Sequence, residues 1–427
     1  MSQASFAPSR WWRIMPVVFV AYSLGFLDRV NFGFAAAAGM DRDLGISKSL
    51  SSLIGSLFFL GYFSFQVPGA VYAQRGKVKV MICVSLICWG ILGALTGVVS
   101  SPQWLLLIRF GLGVMEAAVL PALLTYLSHW FTRRERSRAN ALVTLGNPIT
   151  VLWMSIISGY LIRAVGWRGM FVAEGLPALA WAGVWWLTTT ERPEDVAWLS
   201  VEQKRTLSET LAQEQAGMKV YKNYWAAFKT PAVILLCVQY FCWSIGVYGF
   251  ILWLPSILTS SSKLGVVNTG WLAAGPYVLA IIAQVTVSYF SDRTLERRRF
   301  IWICLLVGAV AFASLVGVGE GNFWLSYGLL AVAGAAMYGA FAVFFAFIFD
   351  LLPQNVAGGA FALINGMGAL GSFVGVFAVG YLDGSTGNPG AAYFFMSGAL
   401  LAAVGITLIV PRAAVETASD APASATS

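Results

Sequence analysis

Charge is scarce in this sequence. Only 11% of its 427 residues are Asp, Glu, Lys or Arg, and there is a single histidine. Soluble globular domains carry roughly 25% charged residues, so a water-solvated fold is excluded. The five cysteines, Cys83, Cys88, Cys237, Cys242 and Cys304, all lie inside apolar runs, where they act as small packing residues rather than as a disulfide framework. One histidine without a cysteine cluster gives no metal site, and His129 beside Trp130 reads as an interfacial structural residue. No His/Glu metal motif and no nucleophile elbow appears, so neither an enzyme nor a cofactor is expected.

What the sequence has in abundance is apolar length. Hydrophobic residues make up 58% of the chain, and the mean hydropathy is +0.75. A bilayer core of about 30 Å takes roughly 20 residues at helical rise, and runs of that length recur throughout. They are continuous and rich in Leu, Val, Ala, Phe and Gly, unlike the short alternating segments of a membrane β-barrel. Arg10 and Arg13 precede the first run, but that run is long, contains Asp28 and Arg29 and lacks an A-x-A site, so it reads as a retained helix rather than a signal peptide.

The net charge of +8 raises the question of nucleic acid, and the placement of the charges argues against it. With the N-terminus inside, five of the 27 Lys and Arg fall outside (Arg42, Lys48, Arg163, Arg168, Lys263) and two within helices (Arg29, Arg109). The remainder cluster in loops on the side of the termini, which the positive-inside rule assigns to the cytoplasm. The expected location is a bacterial inner membrane, crossed many times, with both termini cytoplasmic.

Polar or Gly/Pro-marked breaks place spans near 14–38, 50–73, 79–99, 103–127, 139–162 and 169–190, then near 231–258, 270–290, 300–318, 323–348, 356–380 and 391–410. The expected fold is all-α, with twelve transmembrane helices in two six-helix halves. The first half takes residues 1–190 and the second 231–411. Between them, 191–230 is a polar cytoplasmic linker with a surface helix, and 412–427 is a disordered cytoplasmic tail. The loops after the second helix of each half are both basic, with Arg75, Lys77 and Lys79 in one and Asp292, Arg293 and Arg297 to Arg299 in the other. This suggests duplication, and two parallel halves around a central site are a transporter architecture.

A charge at mid-membrane costs at least about 2.5 to 3.5 kcal/mol, so the few that are present need a reason. All lie in the first half: Asp28 and Arg29 on helix 1, Arg109 and Glu116 on helix 4, and Glu174 on helix 6. At about 1.5 Å per residue, Asp28 lies about 15 Å below one surface, Arg109 about 9 Å and Glu116 about 20 Å. Arg109 and Glu116 are two turns apart and share a face, so the two acids and two arginines fall in one layer and cancel in charge. Protonating an acid frees an arginine, and a substrate carboxylate then supplies the missing negative charge, which is symport by linkage. Guanidinium suits the task because it stays charged and grips a carboxylate through two donors. Glu174 is expected at the interface, solvated or paired with Arg168. Tyr62, Gln66 and Asn147, with Trp243, Tyr248, Trp253 and Asn365 in the second half, are candidate hydrogen-bonding groups for substrate or between helices.

At these residues the sequence resembles the anion:cation symporter branch of the major facilitator superfamily over essentially its whole length. The resemblance rests on Phe26-Leu27-Asp28-Arg29-Val30-Asn31, and on Arg109, Gly113, Glu116, Ala117 and Pro121 followed by Trp130-Phe131 and Glu135-Arg136. Weaker pieces are Trp167-Arg168 with Phe171, Glu174-Gly175, Trp198-Leu199-Ser200, Trp253-Leu254-Pro255 and Asn365. The branch carries hexuronates, aldonates, tartrate, phthalate, nicotinate and related anions. The resemblance implies Asp28 and Glu116 as proton sites, Arg29 as substrate ligand, Arg109 as coupling residue, and substrate contacts at Tyr62 and Asn147. Asp292 and Arg293 fall at the gating loop of the second half; in the first half Gln74 replaces the acidic residue. Phe26 and Asn147 depart from the galactonate-type Tyr and Gln.

The reading is thus a proton-coupled symporter of small organic carboxylates in a lipid bilayer, expected as a monomer without nucleic acid. The alternatives are a proton-independent facilitator or exchanger, or a non-transporting membrane sensor.

Overall fold

In the computed structural model, residues 9–73, 77–216, 231–262, 265–318, 322–351 and 354–410 are described. Gln74, the second part of the linker and the 412–427 tail lie outside these residues.

The apolar runs fold into helices long enough to span a bilayer. They are α1 (Ser9–Ala37), α2 (Lys48–Ala73), α3 (Val78–Val98) and α4 (Pro102–Trp130), then α5 and α6 within Arg133–Thr188. The second set is α7 (Pro231–Ser262), α8 (Val266–Thr294), α9 (Arg297–Val318), α10 (Phe323–Leu351), α11 (Gln354–Thr386) and α12 (Pro389–Ile409). The shortest, at 21 residues, is about 32 Å long by helical rise, enough for the hydrocarbon core. The Arg133–Thr188 stretch is one helix only in its hydrogen bonding, because Gly166 at φ 71° and ψ 173° divides it into 133–165 and 167–188. A side chain is strained at that positive φ and glycine is not, so the turn between α5 and α6 rests on this residue.

Two helices expected to be unbroken are interrupted. α4 consists of Pro102–Glu116 and Val119–Trp130. Pro121 has no N–H for the Ala117 carbonyl and its ring crowds that turn, which opens the helix at 117–118, directly after Glu116. α10 is likewise interrupted at Ala340, between Phe323–Gly339 and Phe341–Leu351.

α1 packs on α7, α2 on α11 and α5 on α8. Without a hydrophobic driving force in lipid, such contacts depend on small residues that let backbones approach. A Cβ on Gly33 of α1 would lie 2.2 Å from the Leu252 carbonyl oxygen of α7. One on Gly113 of α4 would lie 1.9 Å from the Phe58 carbonyl oxygen of α2. On α3, Val80, Val84, Ile87, Ile91, Leu95 and Val98 are exposed. Their steps of three and four residues make one helical stripe, the face a lipid-solvated helix leaves outward.

The contacts between the halves are dense at the face opposite the chain termini. There Lys48 Nζ donates to Asp383 Oδ2 at 2.8 Å, and Gly380 abuts Ser52 and Trp253. Nearby, outside the spans, Asp41 accepts from Ser51 Oγ at 2.8 Å. Burial pushes its carboxyl above the ordinary range, with the Ser51 bond and Lys48 opposing. At the terminal face, the helix Val201–Ala216 of the linker docks on the first half. Trp198 stacks on Trp130 at 5.8 Å, Arg13 lies over Trp198, and Arg136 reaches Glu214 at 3.5 Å.

The close α2–α4 approach gives a direct test. Gly113→Ala is expected to lower the thermal stability of the detergent-solubilised protein by about 1 to 3 kcal/mol through overpacking. Gly183→Ala, where an added Cβ meets nothing within 4 Å, is expected to be neutral or stabilising. Equal melting temperatures for the two variants would contradict the close packing.

Candidate functional site

The centre of the site is one guanidinium. Arg29 of α1 donates through Nε to Glu116 Oε1 at 2.7 Å, and its Nη2 reaches the same oxygen. Its Nη1 donates to the Tyr248 hydroxyl of α7 at 3.3 Å. The rings of Tyr62, Phe26 and Phe58 lie 4.8, 5.0 and 5.6 Å from its Cζ. These faces offer cation–π attraction and keep water off the ion pair. Glu116 ends the first segment of α4, and both side chains are largely buried. Such a pair is a modest net stabiliser but costs about 3 to 5 kcal/mol to break by removing one partner. A group that replaces Glu116 at Arg29 therefore has to bring its own negative charge.

Arg109 and Asp28, expected in the same layer of charges, form no side-chain ion pair among the described residues. Arg109, fully buried, donates Nη1 to the backbone carbonyl of Asp28 at 2.9 Å and lies over the rings of Phe32 and Phe58. Its Nε and Nη2 have no partner among the described residues. The Asp28 carboxylate instead accepts from Asn31 Nδ2 at 3.1 Å and lies against α3, where a Cβ on Gly93 would sit 3.2 Å from Oδ1. Arg109 thus holds the α1 main chain while acting on the Asp28 carboxylate through space.

The polar candidates fall into two bridges between the halves. Asn365 Nδ2 of α11 donates to the Tyr62 hydroxyl at 3.4 Å, and the Tyr338 hydroxyl of α10 donates to Asn147 Oδ1 of α5 at 3.0 Å. Tyr338, one residue before the first segment of α10 ends, was missed from sequence because nothing marks one tyrosine among 15 as facing another half. Its ring contacts Phe341, which contacts Trp243. Trp243 is enclosed by Tyr240, Phe341 and Phe344. Gln66 is fully buried with both amide atoms unpartnered among the described residues. Trp253 donates to the Val376 carbonyl at 3.1 Å, a packing role. Asp292 lies apart at the terminal face, accepting from Arg297 at 2.7 Å, and Arg297 also reaches Asp350. Arg293 stacks over Tyr289.

The sequence matches the Major Facilitator Superfamily over residues 18–270 and 236–426. The chain belongs to that family. A protein named putative tartrate transporter from Agrobacterium vitis is 33% identical over 417 residues, covering 95% of this chain and 92% of its own. A quinolone resistance transporter from Acinetobacter baumannii is 30% identical, covering 93% of each. Among solved structures, a bacterial homologue of the human lysosomal transporter Spinster, inward-facing and occupied, matches with TM-score 0.72 at 17% identity. That match covers 95% of this chain and 96% of the other, and it shows the fold. This major facilitator chain is thus a multi-pass membrane transporter, not an enzyme.

Within that fold one expectation is corrected. Glu174 is neither solvated nor paired with Arg168. It is buried, its Oε1 accepts from Ser158 Oγ at 2.6 Å, and it is near Asn31 and Asp28. Arg168 donates instead to the carbonyls of Gly97 and Val99 and stacks over Trp167. The signal was available, since six residues turn a helix by about 600°, which places 168 and 174 on different faces.

The Asn147–Tyr338 bridge can be measured. Tyr338→Phe is expected to cost about 0.5 to 1.5 kcal/mol of thermal stability, the net worth of one hydrogen bond. Tyr338→Phe combined with Asn147→Ala should cost less than the sum of the two single changes. Strict additivity, within about 0.3 to 0.5 kcal/mol, would show that the bond does not join the halves.

Proposed function

We propose that this major facilitator transporter is a proton-coupled symporter that imports a small organic carboxylate across the bacterial inner membrane by alternating access. The observation that carries the reading is the Arg29–Glu116 pair. Among the described residues a buried, permanently charged guanidinium has one acid as its ionic partner, and that acid can take a proton. When Glu116 is protonated, Arg29 keeps its charge and its two-donor edge, and a substrate carboxylate becomes the matching anion. Proton and anion then bind in a mutually favourable way, which is the linkage a symporter needs.

The surroundings suit a carboxylate with further polar groups. Tyr248 touches Arg29 directly, Tyr62 lies over it and is bonded to Asn365, and Asn147 with Tyr338 offers an amide and a phenol. A sugar acid such as an aldonate or hexuronate, or a tartrate- or phthalate-like diacid, fits this set. The relative named as a tartrate transporter supports that class. The two cross-half bridges offer a path from binding to rearrangement. A substrate hydroxyl that competes for Tyr62 or Asn147 weakens the bonds that hold the halves in the present arrangement. The basic loops on the side of the termini support an orientation with those loops and both termini in the cytoplasm. The dense contacts between halves at the opposite face then correspond to an exit closed to the outside. A facilitator or exchanger of similar anions is the competing reading, separated from symport by its indifference to a pH gradient.

Uptake into proteoliposomes tests this, using a panel of sugar acids, tartrate and aromatic carboxylates with and without an imposed pH gradient. Arg29→Lys is expected to lose most transport although its charge remains, because an ammonium lacks the planar pair of donors. Glu116→Gln is expected to bind and exchange substrate yet fail to accumulate it, since glutamine copies the protonated acid but releases no proton. Normal accumulation by the Gln variant under a pH gradient would remove Glu116 from the coupling.

A further inference from the structure

Beside the Arg29–Glu116 pair, and Arg10 with Glu135 at the terminal face, three buried charged side chains of the first half remain among the described residues: Asp28 on α1, Glu174 on α6 and Arg109 on α4. If all were ionised together with Arg29 and Glu116, three acids would face two arginines. Arg168, the other cation on α6, is taken up by the carbonyls of Gly97 and Val99. Burying an unbalanced carboxylate costs far more than neutralising it, so one of the acids has to carry a hydrogen.

The hydrogen bonds indicate which. Asn31 Nδ2 donates to Asp28 Oδ1 at 3.1 Å, and Ser158 Oγ donates to Glu174 Oε1 at 2.6 Å. The Asn31 amide also lies near the Glu174 carboxyl. Among the described residues, Glu174 Oε2 and Asn31 Oδ1 are buried without a partner. Both are acceptors, and Asn31 is wholly shielded from solvent. A hydrogen carried on Glu174 Oε2 gives that buried oxygen a donor of its own, and of the two orphaned oxygens only the carboxyl can take one.

We infer that Glu174 is a proton-binding site separate from both Glu116 and Asp28, holding a hydrogen on Oε2 that it donates to Asn31 Oδ1. Asn31 passes the polarity on, because the same amide donates through Nδ2 to the ionised Asp28, whose charge is set against Arg109. Glu174, Asn31 and Asp28 form one chain of hydrogen bonds running from α6 to α1, and the five ionisable groups sum to zero charge. Loss of the Glu174 proton turns Asn31 into the link between two carboxylates and makes the set negative. Ordering at α1 is thereby tied to protonation at α6.

The inference rests on the symport reading only where it calls this proton part of transport; the proton itself is read in purified protein without substrate, so failed uptake and a missing proton are separate results. Infrared spectra at neutral pH should show the carbonyl band of a protonated, buried carboxyl. The band should be absent from Glu174→Gln, retained in Glu116→Gln, and in Asn31→Ala retained but moved to the frequency of a weaker hydrogen bond. Glutamine copies the protonated side chain, so the Glu174→Gln protein is expected to fold with a melting temperature close to that of the parent. Absence of the band from the parent protein, or its persistence in Glu174→Gln, would overturn the inference. So would a rise in the parent's melting temperature with sodium chloride over potassium chloride that Glu174→Gln lacks, which would make these oxygens a cation site.

Discussion

Arg29 cannot be neutralised and cannot leave the bundle, and most of what surrounds it follows from that. Guanidinium stays protonated at any accessible pH. Among apolar helices it therefore needs a permanent supply of negative charge and donor-free faces to rest on. Glu116 supplies the first, at 2.7 Å, and the rings of Phe26, Phe58 and Tyr62 supply the second. The position of Glu116 depends in turn on the opening of α4 at 117–118, which Pro121 imposes from within its own helix. A proline four residues beyond Ala117 thus determines where an acid meets an arginine on another helix.

Helix contact and site geometry are the same problem in this protein. The side chains at the centre meet only because their helices touch backbone to backbone. Gly61 and Gly113 bring α2 and α4 together, and Gly33 lets α1 reach Leu252 on α7. Gly93 does more than permit packing, since the space of its missing side chain is occupied by the Asp28 carboxylate. In lipid, where apolar faces gain little by leaving their solvent, such close approaches carry the association. The two bridges, Tyr62 with Asn365 and Asn147 with Tyr338, then add directional bonds across halves already in contact.

The spans were legible in the sequence because membrane helices obey length and apolarity, both one-dimensional properties. The charges were legible for a similar reason: in a run such as that around Asp28 and Arg29, any ionised group is conspicuous. Their partners were less so. Depth along the normal placed Asp28 and Arg29 between Arg109 and Glu116 in one layer, but depth says nothing of azimuth. Arg109 proved to hold the Asp28 carbonyl rather than lie in ion-pair contact with its carboxylate. Glu174 was expected at the interface from its place near the end of its helix, which does not tell which neighbours it faces. Asn31 was quoted only as part of a motif, since an amide three residues from an acid looks like ordinary capping until a second acid arrives from α6. The breaks in α4 and α10 differ in the same way, one written in a proline and the other marked by no residue that forbids a helix.

The distribution of polar groups between the halves bears on how the molecule moves. Among the described residues the buried charges belong to the first half, whereas the second contributes phenols, an amide and an aromatic cluster around Trp243. Charged groups define a site sharply because their fields extend over several ångströms and their desolvation penalizes displacement. Neutral hydrogen bonds at 3.0 to 3.4 Å are worth about 1 kcal/mol each and are exchanged at little cost for bonds to a ligand. A first half that holds its charges fixed, facing a second half attached by replaceable bonds, can rock without dismantling the electrostatic core. On the proposed symport reading the ligand acts at the seam, where the energies involved are small enough for one carboxylate and a few hydroxyls to change the balance.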